Sequence, residues 1–173
     1  MIYGNKTIQY SVYNRTSGTP KFIQDTTTVK RPTLEYLSDT ISGAGILGEI
    51  EMPTLAQLGP ITEEIGVRRT NSNAASLFAP GLQELEVRWV TDVIDTATGK
   101  VTVSACKEII KGYAKSLDGG SLENNTSQEA NLVLEVVAHK FIQDGETVWD
   151  IDKLNIKFEV MGVDYSQPVR DNL

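Results

Sequence analysis

The chain has 173 residues, enough to bury a core, and its sole cysteine, Cys106, excludes an intramolecular disulfide framework and a cysteine-rich zinc site. Its formal charge of -7 and pI of about 4.8 argue against tight binding to nucleic acid, because basic patches supply most of that affinity. No apolar stretch approaches the roughly 20 residues that cross a bilayer, and the N-terminal stretch lacks the regions of a secretory signal. We therefore expect a single domain over residues 1–173, without membrane insertion, made in a reducing cytoplasm.

The first third of the chain predicts short strands separated by turns. Apolar and polar residues alternate over Ile8–Tyr13, and β-branched residues mark an extended stretch over Phe22–Lys30. A third alternating run, Ile46–Met52, follows a glycine-rich turn. Because Ile61–Arg69 comes next along the chain, we expect it to pair with Ile46–Met52 as a hairpin.

One helix is expected, over Asn71–Ala79. Asn71 or Ser72 can cap it by accepting a hydrogen bond from a free backbone N–H, and small apolar residues recur at helical spacing. Pro80 and Gly81 end it. Since its apolar side is small, the helix needs to lie against a sheet to be stable.

The second half of the chain carries the strongest strand patterns. Four strands are predicted, over Glu84–Ile94, Lys100–Tyr113, Leu132–Ile142 and Val148–Val160. Their connections are two short turns and one long polar loop, at Asp95–Gly99, Gln143–Thr147 and Ala114–Asn131. One apolar side and one polar side is the rule for antiparallel sheets. The sequence therefore predicts a mainly β protein, an antiparallel sandwich or barrel with one short flanking helix.

The polar loop Ala114–Asn131 points to assembly. Loops of more than about 12–15 residues are usually functional or disordered, so a mobile surface loop is the alternative interpretation. Its polar residues bury too little surface to order the loop by themselves. We hypothesise that it becomes ordered only against a neighbouring subunit. The candidate contact residues are Leu117, Asp118, Gly119, Gly120, Ser121, Leu122 and Glu123.

Residues that could carry chemistry are few and isolated. His139 lies in mid-strand, and nothing near it has the spacing of a catalytic triad. Asp150 and Asp152 share a strand face, but no calcium-loop pattern surrounds them, so we expect a solvated or salt-bridged pair. The G-x-G-x-x-G pattern over Gly43–Gly48 is followed by a strand rather than by the helix of a nucleotide site. We therefore predict no catalytic, metal or cofactor site and no enzymatic activity.

Three segments keep an order and spacing typical of one family. They are Ile41–Gly48, Trp89–Tyr113 and Phe141–Asp164. In these segments the chain resembles the major tail tube proteins of contractile-tailed phages. The first segment is similar to the family's Arg-Gly-Ala-Gly-Met segment, and the second to its strand, Asp-x-x-Thr-Gly turn and strand. The third ends close to the family's terminal Val-Asn-Gly-Val-Asp, with Met161 in place of the asparagine.

The resemblance implies a structural subunit of the virion tail. Six copies would form a ring, and stacked rings would form the inner tube through which DNA is ejected, surrounded by a contractile sheath. The implied partners are further copies of the chain, the tail sheath protein, and the baseplate and tail terminator proteins, with DNA passing without specific binding. Tubes of R-type bacteriocins and of other contractile injection systems share this architecture, so the sequence leaves them open.

Four glutamates are candidates for the wall of such a channel. They alternate with apolar residues in two predicted strands, and they are Glu49, Glu51, Glu84 and Glu86. Sixfold repetition would turn each one into a ring of negative charge that keeps phosphates from adhering. Alternation alone equally allows the tube exterior or the contact with the sheath.

A rival interpretation from another class is a small β-sandwich module that binds a ligand or a glycan. Such a module needs exposed aromatic side chains around a concave site. Trp89 and Trp149 are the only tryptophans, and the pattern places Trp89 on the apolar face of its strand.

Overall fold

The computed structural model describes the backbone of residues 1–173 and every side chain except that of Asn5. The fold is mainly β, as predicted. The strands are β1 (Ile2–Asn14), β2 (Lys21–Phe22), β3 (Thr26–Lys30), β4 (Tyr36–Ser42), β5 (Glu49–Leu58), β6 (Thr62–Val67), β7 (Leu82–Asp95), β8 (Val101–Asp118), β9 (Ala130–Gln143), β10 (Glu146–Asp152), β11 (Lys157–Val160) and β12 (Val163–Asp164). The helices are α1 (Ser72–Ser76) and α2 (Gln167–Arg170).

All paired strands are antiparallel, and most belong to one bent sheet. Its order is β12-β11-β10-β9-β8-β7-β1-β2, and β6 pairs with both β9 and β3. Residues 130–135 of β9 pair with β6, residues 138–143 pair with β10, and β8 pairs with both parts. The sheet therefore branches at β9, and the described strands form no closed barrel.

The core lies between the β3–β6 branch and the β1–β7–β8 part of the sheet, which gives the fold its sandwich character. Alternate residues of β6, β7, β8 and β9 point into it. The largest buried aliphatic side chains come from both layers and are Val12, Ile23, Ile61, Ile65, Val67, Leu77, Leu85, Val87, Ile110, Leu132, Leu134 and Val136. Full burial of each such side chain contributes roughly 1.5–3 kcal/mol to folding.

The predicted hairpin between Ile46–Met52 and Ile61–Arg69 is wrong. The strand in that region is β5, which pairs with β4, a strand that was not predicted. The second run is β6, which pairs with β3 and β9. The hairpin was expected because the two runs are close in the chain. In the structure β6 lies between β3 and β9 instead, and its apolar residues pack in the core of the sandwich.

Two predicted extended segments are interrupted by turns. The run Phe22–Lys30 is split at Asp25, whose φ of 63° cannot continue a strand. The run Val148–Val160 consists of β10 and β11, joined by a turn at residues 153–156. The Asp152 carboxylate closes that turn by accepting hydrogen bonds from the N–H groups of Leu154 and Asn155, at 3.0 and 3.1 Å.

The helices also differ from the prediction. Helix α1 is shorter than Asn71–Ala79, but Asn71 caps it as expected, with its Oδ1 accepting from the Ala74 N–H at 2.9 Å. Helix α2 was not predicted, because four residues are too few for an apolar periodicity to show. None of the helices in the described residues is long and apolar enough to span a bilayer.

Candidate assembly surfaces and a buried polar cluster

Strands β4 and β5 form a hairpin outside the main sheet, and we call residues 36–58 the arm. Every residue of β4 and the first seven residues of β5 are exposed, so both faces of the outer part of the arm meet solvent. Its exposed apolar side chains are Leu37, Ile41, Leu47, Ile50, Met52 and Leu55. A lone two-stranded hairpin is marginally stable in water, and its strands leave backbone groups unpaired. The arm therefore has the features of an unoccupied contact surface.

The glycine-rich pattern Gly43–Gly48 forms the tip of the arm. Gly45 and Gly48 have φ angles of 91° and 98°, a region that favours glycine. The segment turns the chain from β4 into β5, and no helix follows it. These glycines therefore form a turn between two strands.

The base of the arm is tied to β10 and β11. The Gly59 N–H donates to the Glu35 carbonyl at 3.0 Å, and Lys153 Nζ donates to the Gly59 carbonyl at 2.5 Å. The rings of Tyr36 and Phe158 lie 5.8 Å apart. Burial lowers the pKa of Lys153, in spite of the nearby Glu135 carboxylate. The arm thus projects from an anchored base.

The polar loop is shorter than predicted. Leu117 and Asp118 belong to β8, and β9 begins at Ala130, which leaves residues 119–129 as the connection. This connection is held against the chain's own backbone, because the N–H of Gln128 donates to the Arg68 carbonyl at 2.9 Å and the N–H of Ser121 donates to the Gln128 carbonyl at 2.9 Å. The exposed residues from Gly119 to Glu123 are available to a neighbouring molecule.

Strand β1 offers a second unpaired surface. One edge of β1 pairs with β7 from Ile2 to Asn14, whereas the other edge pairs with β2 only at Tyr13 and Asn14. The first ten residues of β1 therefore have one free edge in the described structure. Ile2, Tyr3 and Ile8 are exposed there. A free edge of this length favours pairing with another strand.

The four candidate glutamates lie on two different surfaces. Glu49 and Glu51 are exposed on β5, where Ser38 donates to Glu51 at 2.6 Å. Glu84 and Glu86 lie on β7, on the side of the main sheet away from the core. Glu86 is buried and pairs with Arg88 and, at 2.6 Å, with Arg15. Tertiary structure thus separates the two pairs and neutralises Glu86.

The face of the main sheet that carries Glu84 and Glu86 is of mixed charge. Register places Arg88 opposite Lys107 and Glu84 opposite Lys111. The face includes an open concavity of about 700 Å³, lined in part by Arg88, Lys107 and Ile142. We call this surface the charged face. Its carboxylates are mostly within reach of a cation, so it presents little free negative charge.

A polar cluster joins the half-exposed Arg31 to the buried side chains of Glu108 and His139. Arg31 Nε and Nη2 donate to Glu108 Oε1 at 2.8 and 2.5 Å, and the guanidinium lies 4.6 Å from the Trp89 ring and 4.9 Å from the Phe141 ring. His139 Nε2 lies 3.2 Å from Glu108 Oε1, outside hydrogen-bond geometry. Burial raises the pKa of Glu108, but the interactions with His139 and Arg31 outweigh it and lower the pKa.

Glu63 completes this cluster from β6. Its side chain is fully buried, and neither of its carboxyl oxygens has a hydrogen-bond partner among the described residues. Burial, together with the Glu108 carboxylate and in spite of Arg31, raises the pKa of Glu63 to about 9. Glu63 is therefore protonated at neutral pH. The sequence already indicated this burial, because Glu63 lies between Ile61 and Ile65 on the same side of the strand.

The cluster has the features of a structural site. The Trp149 Nε1–H donates to His139 Nδ1 at 3.1 Å, so His139 orients a half-buried ring instead of a nucleophile. Burial raises the pKa of the Cys106 thiol, which opposes its reactivity. Asp150 is salt-bridged, as expected, to Lys157 at 2.6 Å and to Lys140 at 3.4 Å. Among the described residues, no group of three or more His, Cys, Asp and Glu side chains could hold a metal ion.

One comparison with known proteins, the match to a family model, identifies a tail component. A family model described as phage tail tube protein FII matches residues 10–173. A search of curated proteins found no match. Among solved structures, a chain from the anti-feeding prophage baseplate, solved by cryo-electron microscopy with sixfold symmetrisation, is 13% identical and aligns over 79% of this chain and 93% of its own length. Its TM-score of 0.39 is too low to carry an argument about the fold.

Proposed function

Because this chain belongs to the phage tail tube protein FII family, we propose that it polymerises as stacked hexameric rings into the inner tube of a contractile tail. The family match over residues 10–173 is the observation that carries the proposal. As a member of this family, the protein is a structural component of the virion tail. We propose that residues 1–173 act as one tube domain without a catalytic role.

Two unpaired surfaces support self-association. Side-by-side contact in a ring would use the free edge of β1, where another copy's strand can complete the backbone hydrogen bonds. The arm would extend to a neighbouring copy and bury apolar residues such as Ile41 and Ile50. Contact at these surfaces would remove two features that are unfavourable in a monomer, namely the unpaired backbone groups of β1 and the exposed apolar side chains of the arm. The partner that both surfaces fit is therefore another copy of this chain.

The charged face supports the role of a channel wall. A tube wall needs one side packed and one side in water, and the main sheet has its apolar side in the core and the charged face outside it. We propose that this face lines the channel, with the partly exposed Glu84 among its residues and Glu86 buried in ion pairs with Arg15 and Arg88. The ion pairs of Arg15, Arg88 and Lys111 with Glu84 and Glu86 weaken the attraction of these cations for phosphates, which would help DNA to pass without adhering.

The remaining partners follow from the position of a tube within a tail. We propose that the sheath protein surrounds the outer surface and that baseplate and tail terminator proteins contact the two ends. A tube of a bacteriocin or of another contractile injection system would use the same surfaces. A glycan-binding module is less well supported, because Trp89 and Trp149 both contact Phe141, with ring centroids 5.6 and 4.7 Å away.

Electron microscopy of the purified chain tests the assembly proposal. We expect negatively stained rings or tubes at high protein concentration. Replacing Ile41 and Ile50 by serine should abolish them, since both side chains are exposed and their loss leaves the core intact. Glu49→Gln is the matched control on the same hairpin and should still assemble. Sedimentation that remains monomeric at every concentration, salt and temperature would contradict the proposal.

A further inference from the structure

We propose that Arg31 and the carboxyl pair Glu63–Glu108 form a latch that holds the root of the arm against the sandwich, and that the closed latch needs one proton on the carboxyl pair. The latch is a property of the single chain. It therefore does not depend on whether the chain builds a tube.

The position of Arg31 gives it this role. Residues 31–35 connect β3 to the arm and belong to no strand of either sheet, so no ladder of backbone hydrogen bonds holds them. The Arg31 side chain crosses to β8 instead and donates two hydrogen bonds to the fully buried Glu108. Trp89 of β7 and Phe141 of β9 contact the same guanidinium. One side chain thus connects the arm's root to three central strands.

The second attachment of the root lies elsewhere. Gly59 follows the arm and is held by Glu35 and Lys153, and Tyr36 contacts Phe158. These contacts connect the arm to β10 and β11. Without Arg31, the chain between β3 and the arm would keep this attachment and the packing of Leu34 against the core, but no charged contact. Loss of the latch should therefore loosen residues 31–35 before it affects the rest of the arm.

The charges around Glu63 and Glu108 explain why this carboxyl pair holds one proton. The charged groups nearest Glu63 are Glu108 on β8, Arg31 in the connection, and Glu64 on its own strand. Glu64 is paired with the exposed Lys30 at 2.8 Å. Glu108 also approaches His139 of β9, whose Nδ1 accepts from Trp149 of β10. The two buried carboxyl groups thus share one permanent cation, Arg31, whose side chain is half-exposed.

This balance defines when the latch is closed. With Glu63 protonated and Glu108 ionised, the Arg31 guanidinium meets one negative charge and neutralises it. If Glu63 loses its proton, a second negative charge appears in the core without a hydrogen-bond donor, and water has to enter to solvate it. The entry of water separates Arg31 from Glu108 and releases the root. Alkaline pH should therefore open the latch locally.

Hydrogen–deuterium exchange measured by mass spectrometry on dilute protein tests the latch. The Gly59 N–H donates to the Glu35 carbonyl of the root, so its exchange reports on residues 31–35. We expect the peptides that cover Gly59 to lose protection, corrected for intrinsic exchange, by roughly tenfold or more between pH 7 and pH 10, as expected for a lost charge-assisted hydrogen bond. Glu63→Gln keeps the shape without an ionisable proton and should abolish this change. Arg31→Lys should lower the protection already at pH 7, because lysine cannot reproduce the two hydrogen bonds and the ring contacts.

The neighbouring Lys30→Ala is the matched control, since it removes an exposed ion pair one residue away. Its exchange should follow the wild type at both pH values. The latch is overturned if the Gly59 amide keeps its protection in Arg31→Lys, or if Glu63→Gln follows the wild-type pH dependence. It is also overturned if the Gly59 amide exchanges only through the same global unfolding that exposes the amides of β8 and β9, because the latch would then have no local opening of its own.

Discussion

Gly112 lies so close to Glu135 on the neighbouring strand that a β-carbon at position 112 would overlap the Glu135 carbonyl oxygen. The register of β8 against β9 shifts between Lys111 and Gly112, and again between Ala114 and Ser116. These bulges lie where β9 changes its partner from β10 to β6. Bulges bend a strand and increase its twist. The contact between Gly112 and Glu135 is thus part of the bend that lets the long strands β8 and β9 belong to both layers of the sandwich.

Replacing Gly112 by alanine should therefore destabilise the protein. Because the added atom meets backbone, it can be accommodated only by moving β8 away from β9, and we expect a loss of about 2 kcal/mol or more in the free energy of unfolding. Urea denaturation followed by circular dichroism measures this. Gly119→Ala is the matched control, since nothing lies within 4 Å of a β-carbon there. Equal stability of the two variants would contradict the importance of the bend.

Glu63 should make global stability fall as pH rises. Its pKa is about 9 in the folded protein and near 4.5 when unfolded, so its contribution is complete below about pH 4.5 and is lost as pH rises through about 9. In Glu63→Gln, this loss should disappear. The variant should resemble the wild type at pH 5 and exceed its free energy of unfolding on the order of 1 kcal/mol or more at pH 9. Parallel pH curves of the two proteins would disprove the assignment.

His139 should matter for stability alone. His139→Ala removes a buried ring, leaves Trp149 without its acceptor, and should cost about 2–4 kcal/mol of folding free energy, measured by urea denaturation. Cys106→Ala and Asp152→Ala should cost less, because both residues are partly exposed. None of the three changes should abolish a specific enzymatic turnover. An activity lost with one of them would overturn the proposal of a purely structural role.

The connection at residues 119–129 remains our candidate for contact between subunits. Shortening it to a four-residue turn should leave a folded chain, because the core does not include it. We expect an unchanged far-ultraviolet circular dichroism spectrum and no tubes in electron micrographs. Normal polymerisation of the shortened chain would instead leave the arm and the edge of β1 as the contacts that assemble the tube.

Charge reversal distinguishes a channel-facing glutamate from an external one. Glu84→Lys alone, and Glu49→Lys with Glu51→Lys, should each permit tube formation, whereas a reversal at the buried Glu86 should destabilise the subunit by removing the partner of Arg15 and Arg88. If Glu84 faces the channel, its reversal should slow DNA ejection from assembled particles, most at low salt, since screening acts over about 8–10 Å. Unchanged ejection with lost sheath attachment would place the residue outside.

Several properties of this protein could be determined from its sequence alone. Alternation of apolar and polar residues depends on the local geometry of a strand, so β7, β8 and β9 were predicted well. The cap at Asn71 and the turn residues of the short hairpins are equally local. The segments that resemble tail tube proteins also led to the family, because their order along the chain is a property of the sequence.

Only the tertiary structure decided how the strands pair and which charges meet. Alternation shows which side of β6 is apolar but not which strand covers it, so the pairing with β9 and the separate arm could not be predicted. The meeting of Arg31, Glu63 and Glu108 joins residues that lie far apart in the chain, on elements brought together by the bend of the sheet. The proton on Glu63 follows from burial and from these neighbours, and both are consequences of packing.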